Sequence, residues 1–310
     1  MISLFGSNAL TRNDEVFVGK EKGRPLSVSF IVSTMGMRPE SFSLLLGDFV
    51  SQDYPLCELV VVLQSADAKT QLDVETEISR RFGEGNFKLL LDAGRGLSRS
   101  RNLGMAAASN DLLLLCDDDC RYPANAATTV VQAAGSRTWD AFSFDVATSP
   151  NGPLLKTSAG DGRHPHSWRS RMRIMSVGLV VRRLLVERWG GLMDERFGLG
   201  TSNPTGEENI MLNDLARRGC VAGHIPKVVV YHPPETSGSI GDPRVLAYAK
   251  GAMFRRLFGI FGAVPALVFF GTRMRRRKGL QFKFWHLREL AAGFAASPRG
   301  QGPKVMRGAD

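Results

Sequence analysis

The stretch NDLLLLCDDDCRYP, Asn110 to Pro123, places three aspartates after four consecutive leucines and one cysteine. Four leucines in a row favour a strand that is buried on both faces, as in the middle of a parallel sheet. The three adjacent carboxylates repel one another, so they must stay in water or be held by a positive group. Ligands of parallel sheets bind beyond the carboxyl ends of the strands. The stretch therefore predicts a buried strand that ends at a polar site.

Strands and helices alternate before this stretch. Apolar and β-branched runs predict four strands, at Leu26–Thr34, Cys57–Leu63, Phe87–Leu91 and Asp111–Cys116. The segments between them predict helices, one of them strongly amphipathic after Pro39. This alternation indicates an α/β fold with a Rossmann-like, mostly parallel sheet, helices on both faces and right-handed crossovers.

The alternation is looser downstream. Strands are predicted at Ile174–Val181 and Lys227–His232, with a helix over Asn209–Gly219 between them. The run WDAFSFDVATSP, from residue 139 to 150, is a further candidate strand.

Length and composition allow one large domain with an appendage. The chain has 310 residues, of which 43% are hydrophobic and 23% charged, enough to bury a sizeable core. We predict an N-terminal extension at residues 1–24, a main domain at 25–240, a helical, basic and apolar C-terminal extension at 241–296, and a flexible tail at 297–310.

The cysteines and the start of the chain indicate a cytoplasmic protein. The first residues lack a basic start followed by an apolar run, so we expect no secretory signal. The four cysteines show no paired spacing, which predicts a reducing compartment. Cys116 and Cys120 flank the aspartates without a second pair, which argues against zinc.

The aspartates themselves suggest a site for a divalent cation. Carboxylates within one turn form a hard-oxygen site that suits Mg²⁺ or Mn²⁺, and such a cation also binds substrate phosphates. The alternative is a solvated acidic turn, which is the common role of a charge run. The position at the end of a buried parallel strand favours the cation site.

Five segments, in order, carry a resemblance to a known family. They are STMGMRPESFSLLLGDFVSQDYP (33–55), GRGLSRSRNLGMAAASNDLLLLCDDDC (94–120), GGLMDERFGLG (190–200), GEENIMLNDLARRGC (206–220) and VVVYHPPETSG (228–238). Together they resemble an inverting family 2 glycosyltransferase of the GT-A fold, from about Leu26 to Gly238. Any one segment is weak evidence, whereas five in the same order are specific.

The resemblance implies a metal site and its ligands. By similarity, Asp117 and Asp119 are the D-x-D pair, with Asp119 the direct ligand and Asp117 also close to the ribose of the donor. Asp118 is a further candidate for substrate binding. His232 matches a position that completes the metal shell in several members, although a histidine after a strand is also commonly a surface residue. Mn²⁺ or Mg²⁺ is the expected cofactor.

The acidic motif of the family supplies the catalytic base. Here it reads Gly206-Glu207-Glu208, and Glu208 falls where the base usually is, with Glu207 beside it. The family more often has aspartate in the second place. The alternative is a helix N-terminus that carries acids because they interact favourably with the helix dipole.

Donor contacts follow from the same resemblance. Ser33 and Thr34 end the first strand, where the nucleotide base binds, and Arg101 matches an arginine that faces the donor. Family members commonly carry an acidic residue after the second strand, whereas this chain has Gln64. The amide can still hydrogen-bond, but the identity of the donor base is left open.

The resemblance thus implies a metal-dependent enzyme. It would move a sugar from a nucleotide-diphosphate donor to a hydroxyl of a glycan or lipid-linked acceptor, in cell-surface polysaccharide synthesis. Gln64 and the Glu-Glu motif also allow a second hypothesis, a non-catalytic nucleotide-binding scaffold of the same fold. On the acceptor side, Asp194 either orients an acceptor or forms a structural salt bridge.

The net charge of +10 is concentrated near the C-terminus. Arginines flank the apolar stretch Leu257–Gly271, which is too short to span a bilayer. This pattern predicts an interfacial helix on the inner face of the cell membrane, bound to anionic lipid; a core-packing helix is the alternative. We do not expect nucleic acid as a partner, because no binding motif or stacking aromatics accompany the charge.

Overall fold

The computed structural model describes residues 24–82, 87–136, 138–155, 162, 164–234, 242–276 and 284–296. The predicted N-terminal extension, except for residue 24, and the predicted tail lie outside these ranges. The described strands are β1 (Val28–Thr34), β2 (Cys57–Leu63), β3 (Phe87–Leu91), β4 (Leu112–Asp117), β5 (Ala141–Ala147), β6 (Leu179–Arg182) and β7 (Ala222–Tyr231).

Helices connect most of these strands and extend the chain beyond them. They are α1 (Pro39–Val50), α2 (Ala68–Phe82), α3 (Leu97–Ala107), α4 (Ala126–Ser136), α5 (Trp168–Arg171), α6 (Arg183–Trp189), α7 (Glu207–Arg217), α8 (Pro243–Phe258), a 3-10 helix (Gly259–Gly262), α9 (Ala263–Arg276) and α10 (Phe284–Ala296).

The seven strands form one sheet in the order β3-β2-β1-β4-β6-β5-β7. β1 pairs in parallel with β2 and β4, β2 with β3, and β5 with β7, whereas β6 is antiparallel to both of its neighbours. The predicted α/β fold, with a mostly parallel sheet and helices on both faces, is confirmed. The extra helices after β7 are also present.

The four leucines of β4 are buried on opposite faces of the sheet. Leu112 and Leu114 pack in one core cluster with residues of α1, α2 and α4. Leu113 and Leu115 pack in a second cluster with residues of α3, α6 and α7. Successive side chains of a strand point to opposite faces, so an unbroken apolar run fits only a strand covered on both sides.

Two strands, β6 and β7, begin five residues away from their predicted starts. β6 begins at Leu179 rather than Ile174, because Gly178 has a φ of +74°, a conformation that interrupts an extended strand. β7 begins at Ala222 rather than Lys227, and its pairing with β5 shifts register next to Asp145. Such irregularities let a strand continue past Pro226, which has no N–H to donate.

The C-terminal helices have a small core of their own. Met253 and Leu257 of α8 pack with Ala266 of α9, Leu290 of α10 and Ile210 of α7. Helices α8 and α10 cross closely because both contact surfaces carry glycine, so the two backbones meet.

The predicted interfacial helix over Leu257–Gly271 is not a single α-helix. α8 ends at Phe258, where Gly259 has a φ of +59°, and α9 follows the 3-10 helix. By length and apolar composition, the helical stretch Pro243–Phe269 would suffice to cross a membrane. Of its most apolar 18 residues, 39% are buried inside the protein. Core helices of soluble proteins pass the same test, so this stretch alone does not indicate a span.

Candidate functional site

The aspartate cluster (Asp117–Asp119) leaves the sheet beside the carboxyl end of β1, because β1 and β4 are parallel neighbours. Thr34 Oγ1 donates a 2.7 Å hydrogen bond to Asp118 Oδ2, and Arg38 Nη1 donates a 2.7 Å bond to Asp118 Oδ1. Arg38 Nη1 also lies 3.3 Å from Asp119 Oδ2. One guanidinium therefore offsets part of the repulsion within the cluster. Arg38, which lies just after the first strand, is not among the residues predicted from the sequence.

Asp119 and His232 face each other across a gap. Asp119 Oδ1 is buried and, within the described residues, has no hydrogen-bond partner. His232 Nε2 lies 3.7 Å from it, too far for a hydrogen bond. His232 Nδ1 lies 2.6 Å from the carbonyl oxygen of Pro233. A carbonyl only accepts, so Nδ1 carries a proton and, in the neutral ring, Nε2 offers a lone pair toward Asp119.

This pair suits a divalent cation. Burial raises the pKa of Asp119. The negative charge of Asp117 also raises this pKa, whereas His232 lowers it. The facing atoms of Asp119, Cys120 and His232 all lie within 4.8 Å of one another. Burial raises the pKa of the Cys120 thiol well above its usual value, so the thiol stays protonated. The carboxylate oxygen suits either Mn²⁺ or Mg²⁺, and the imidazole nitrogen favours Mn²⁺ over Mg²⁺.

Arg101 joins the aspartate cluster to the acidic motif. It lies on α3 and is fully buried. Its Nη2 donates a 2.6 Å hydrogen bond to Asp117 Oδ1 and a 3.0 Å bond to Ser176 Oγ. Its Nη1 lies 3.3 Å from Glu207 Oε1. Two acidic segments that are far apart in the sequence therefore meet at one guanidinium, through Asp117 and Glu207.

The acidic motif begins helix α7. Gly206 has a φ of +93°, and a Cβ at this position would lie 2.6 Å from Met253 Sδ, so glycine is required for both reasons. Glu207 turns inward and is buried, whereas Glu208 is partly exposed. Burial, reinforced by the charge of Glu208, raises the pKa of Glu207 to about 7, against the opposing effect of Arg101.

Gln64 is oriented by a carboxylate that directly follows the neighbouring strand. Gln64 Nε2 donates a 2.9 Å hydrogen bond to Asp92 Oδ2, and Arg99 Nε lies 3.0 Å from the same oxygen. The hydrogen bond from Arg99 lowers the pKa of Asp92 to about 2, so Asp92 only accepts. Asp92 is not among the residues predicted from the sequence, although it follows the third strand directly and so lies at the ligand-binding edge.

Other predicted residues have partners within the protein. Ser33 Oγ accepts a 2.8 Å hydrogen bond from Ser100 Oγ, and both side chains are buried. Asp194 accepts bonds from Arg196 and Arg256, which favours the structural salt bridge over the acceptor role. The described structure thus brings Thr34, the aspartate cluster, Arg101, Glu207 and His232 into one linked network. Substrate contacts of individual residues stay predictions.

Comparison with known proteins adds a family match. Residues 39–170, less than half of the chain, match the family model for glycosyl transferase family 2. The match contains the aspartate cluster and ends before Glu207 and His232. No curated protein sequence matches the chain significantly.

Solved structures show the same fold at low sequence identity. S. aureus TarS 1–349 in complex with UDP-GlcNAc superposes with a TM-score of 0.61 at 15% identity, over 86% of this chain and 79% of that chain. Mannosyltransferase PcManGT from Pyrobaculum calidifontis, in complex with GDP-Man and Mn²⁺, superposes with a TM-score of 0.55 at 18% identity, over 88% and 75%. The fold is therefore that of the GT-A enzymes, and the family match supports a glycosyltransferase.

Proposed function

We propose that the chain is an inverting, metal-dependent glycosyltransferase. It moves a sugar from a nucleotide-diphosphate donor to a hydroxyl of a glycan or lipid-linked acceptor in cell-surface polysaccharide synthesis. The observation that carries the proposal is the Arg101 guanidinium, which contacts both Asp117 and Glu207. The family match at residues 39–170 supports sugar transfer.

Asp119 and His232 would hold Mn²⁺ or Mg²⁺, with Asp117 at the edge of the site. The buried Oδ1 of Asp119, unpartnered among the described residues, supports this assignment, as does the direction of the His232 lone pair. Neutralising the negative charge of the departing diphosphate is the chemistry that such an ion supplies when bound. Arg38 contacts Asp118 and Asp119 and supplies positive charge at this edge.

Glu208 is the proposed base. It accepts the proton of the acceptor hydroxyl while the hydroxyl oxygen bonds to the anomeric carbon. The bond from that carbon to the diphosphate breaks on the opposite face, which inverts the configuration. Partial exposure gives Glu208 access to an acceptor. Glu207 is buried against Arg101 and positions the Arg101 side chain.

The orientation of Gln64 supports a particular class of donor base. Asp92 holds the Gln64 amide nitrogen, so the amide oxygen is left as an acceptor. The carbonyl oxygen of Gln64 accepts hydrogen bonds, as does the carboxylate that family members usually carry at this position. It suits a base with a ring N–H, as in uracil, thymine or guanine, and disfavours cytosine and adenine, whose corresponding ring nitrogens only accept.

Nucleotide release tests the proposal. UDP-, GDP- and dTDP-sugars are incubated with the protein, Mn²⁺ and an oligosaccharide or lipid-linked acceptor. We expect turnover that Asp119→Ala and Glu208→Gln each reduce by at least about a hundredfold. Glu187→Gln is the matched control. This carboxylate lies on α6, which begins beside the first residue of β4, whereas the aspartate cluster lies at the other end of that strand. Full activity in both site variants would refute the proposed roles.

The scaffold hypothesis predicts a different result in the same samples. Calorimetry would show tight binding of a nucleotide diphosphate that depends on Asp119, with no transfer to any acceptor. Such an outcome would remove the catalytic role of Glu208 while leaving the metal and nucleotide site in place.

A further inference from the structure

Five apolar side chains after α8 form an exposed face that no described residue covers. These residues, between 56% and 77% exposed, are Ile260, Phe261, Val264, Leu267 and Val268. Their spacing of three or four residues places them on one side of the 3-10 helix and α9. We call this face the apolar ridge. The opposite side of the same segment faces the small core, where Ala266 and Leu257 are buried.

The segment that carries the apolar ridge is strongly basic in its sequence. Residues 243–288 contain 11 of the 40 lysines and arginines and no aspartate or glutamate, so the other residues carry 29 basic against 30 acidic side chains. The whole positive excess of the chain therefore lies in the segment that carries the ridge. In addition, Arg217 and Arg255 line an open cavity of about 740 Å³ together with Ile260 and Phe261.

We propose that the apolar ridge docks on a membrane surface that carries anionic lipid. The aliphatic and aromatic side chains enter the interfacial layer, and Arg217 and Arg255 face the phosphate headgroups beside them. An exposed apolar face with basic flanks meets both requirements of interfacial binding, namely apolar area to bury and attraction to anionic headgroups.

Two other occupants fit the charges less well. A second copy of the chain would bring two acid-free, basic segments together, which costs electrostatic repulsion. A nucleic acid would satisfy the positive charge but leave the apolar ridge in water. The unpaired spacing of the four cysteines predicts a reducing, cytoplasmic location. The cytoplasmic leaflet of a cell membrane is the anionic one, so the inner face fits this surface.

Vesicle co-sedimentation of the full chain tests the proposal. One vesicle type is phosphatidylcholine alone, and the other contains about 30 mol % phosphatidylglycerol. We expect binding to the anionic vesicles that weakens with added salt, because screening reduces the attraction of exposed charges. The double variant Phe261→Ser/Val264→Ser should lower the partition coefficient by at least about tenfold, since both side chains lose apolar area.

The control variant is Leu72→Ser/Leu184→Ser, which removes two exposed apolar side chains from α2 and α6. It should bind vesicles like the wild type, and both variants should keep the wild-type melting temperature because all four positions are exposed. Equal binding to both vesicle types, or wild-type binding by the ridge variant, would overturn the proposal. So would a concentration-dependent dimer that the ridge variant abolishes, with no vesicle binding. Nucleotide release is measured separately, so either proposal can fail alone.

Discussion

Replacing Arg101 by methionine removes the only described cation that contacts both the aspartate cluster and the acidic motif. Methionine keeps much of the side-chain length and the apolar packing, but it leaves Asp117 and Glu207 without their shared partner. Because Arg101 is fully buried, bulk water does not replace its charge. Removing one partner of a buried ion pair costs about 3 to 5 kcal/mol of unfolding free energy.

The cost should depend on pH, and the sign follows from Glu207. Burial raises the pKa of Glu207 to about 7, so the group is protonated below that pH and ionised above it. Loss of Arg101 raises this pKa further, because Arg101 favours the ionised form. Near pH 6 Glu207 is neutral with or without Arg101, so the variant loses less unfolding free energy. Above pH 8 the variant must protonate Glu207 or bury an unpaired charge, so the destabilisation by Arg101→Met is larger there.

Urea unfolding, followed by circular dichroism with a chelator present, measures both effects. The runs are made at about pH 6 and about pH 8.5, for the wild type, Arg101→Met, Glu207→Gln and the double variant. We expect a coupling energy of about 1 to 3 kcal/mol between the two positions at the higher pH. Additive effects at both pH values, or a larger loss at the lower pH, would refute the account of this site.

Two further predictions concern the ends of the site. His232→Gln should weaken Mn²⁺ binding at least about tenfold in calorimetry while leaving the melting temperature of the metal-free protein unchanged; equal affinity would remove His232 from the metal site. Gly206→Ala should destabilise the protein by about 1 to 3 kcal/mol in urea, because of its positive φ and the approach of Met253. The matched control Gly135→Ala, where an added Cβ meets nothing, should be neutral or slightly stabilising.

Much of the parallel half of the fold could be predicted from the sequence. The bounds of β2 and β3 agree with the predicted ones, because each is a short run rich in apolar residues that a polar residue follows. β6 and β7 were placed less well. Their limits depend on a glycine in a left-handed conformation and on a register shift against β5, and neither changes the apolar pattern.

The site was predictable in its acids and less so in its cations. The aspartate cluster was predicted from its position at the end of a buried strand, whereas the acidic motif and His232 were predicted from the family resemblance. Arg38 and the Asp92–Arg99 pair were missed, because their role depends on which strands become neighbours. β2 lies between β1 and β3, and only that order places Asp92 next to Gln64.

The C-terminal helices support the acidic motif as well as extending the chain. Met253 of α8 packs against Gly206, immediately before Glu207. Arg256 of α8 donates a 2.8 Å hydrogen bond to Asp194 and a 2.5 Å bond to Asp214 of α7, and its side chain is almost completely buried. Buried charges of this kind are costly unless paired, so α7 and α8 hold each other in a fixed position. Because α7 carries the acidic motif at one end and contacts the basic extension at the other, the position of the proposed base depends on helices that lie outside the family match.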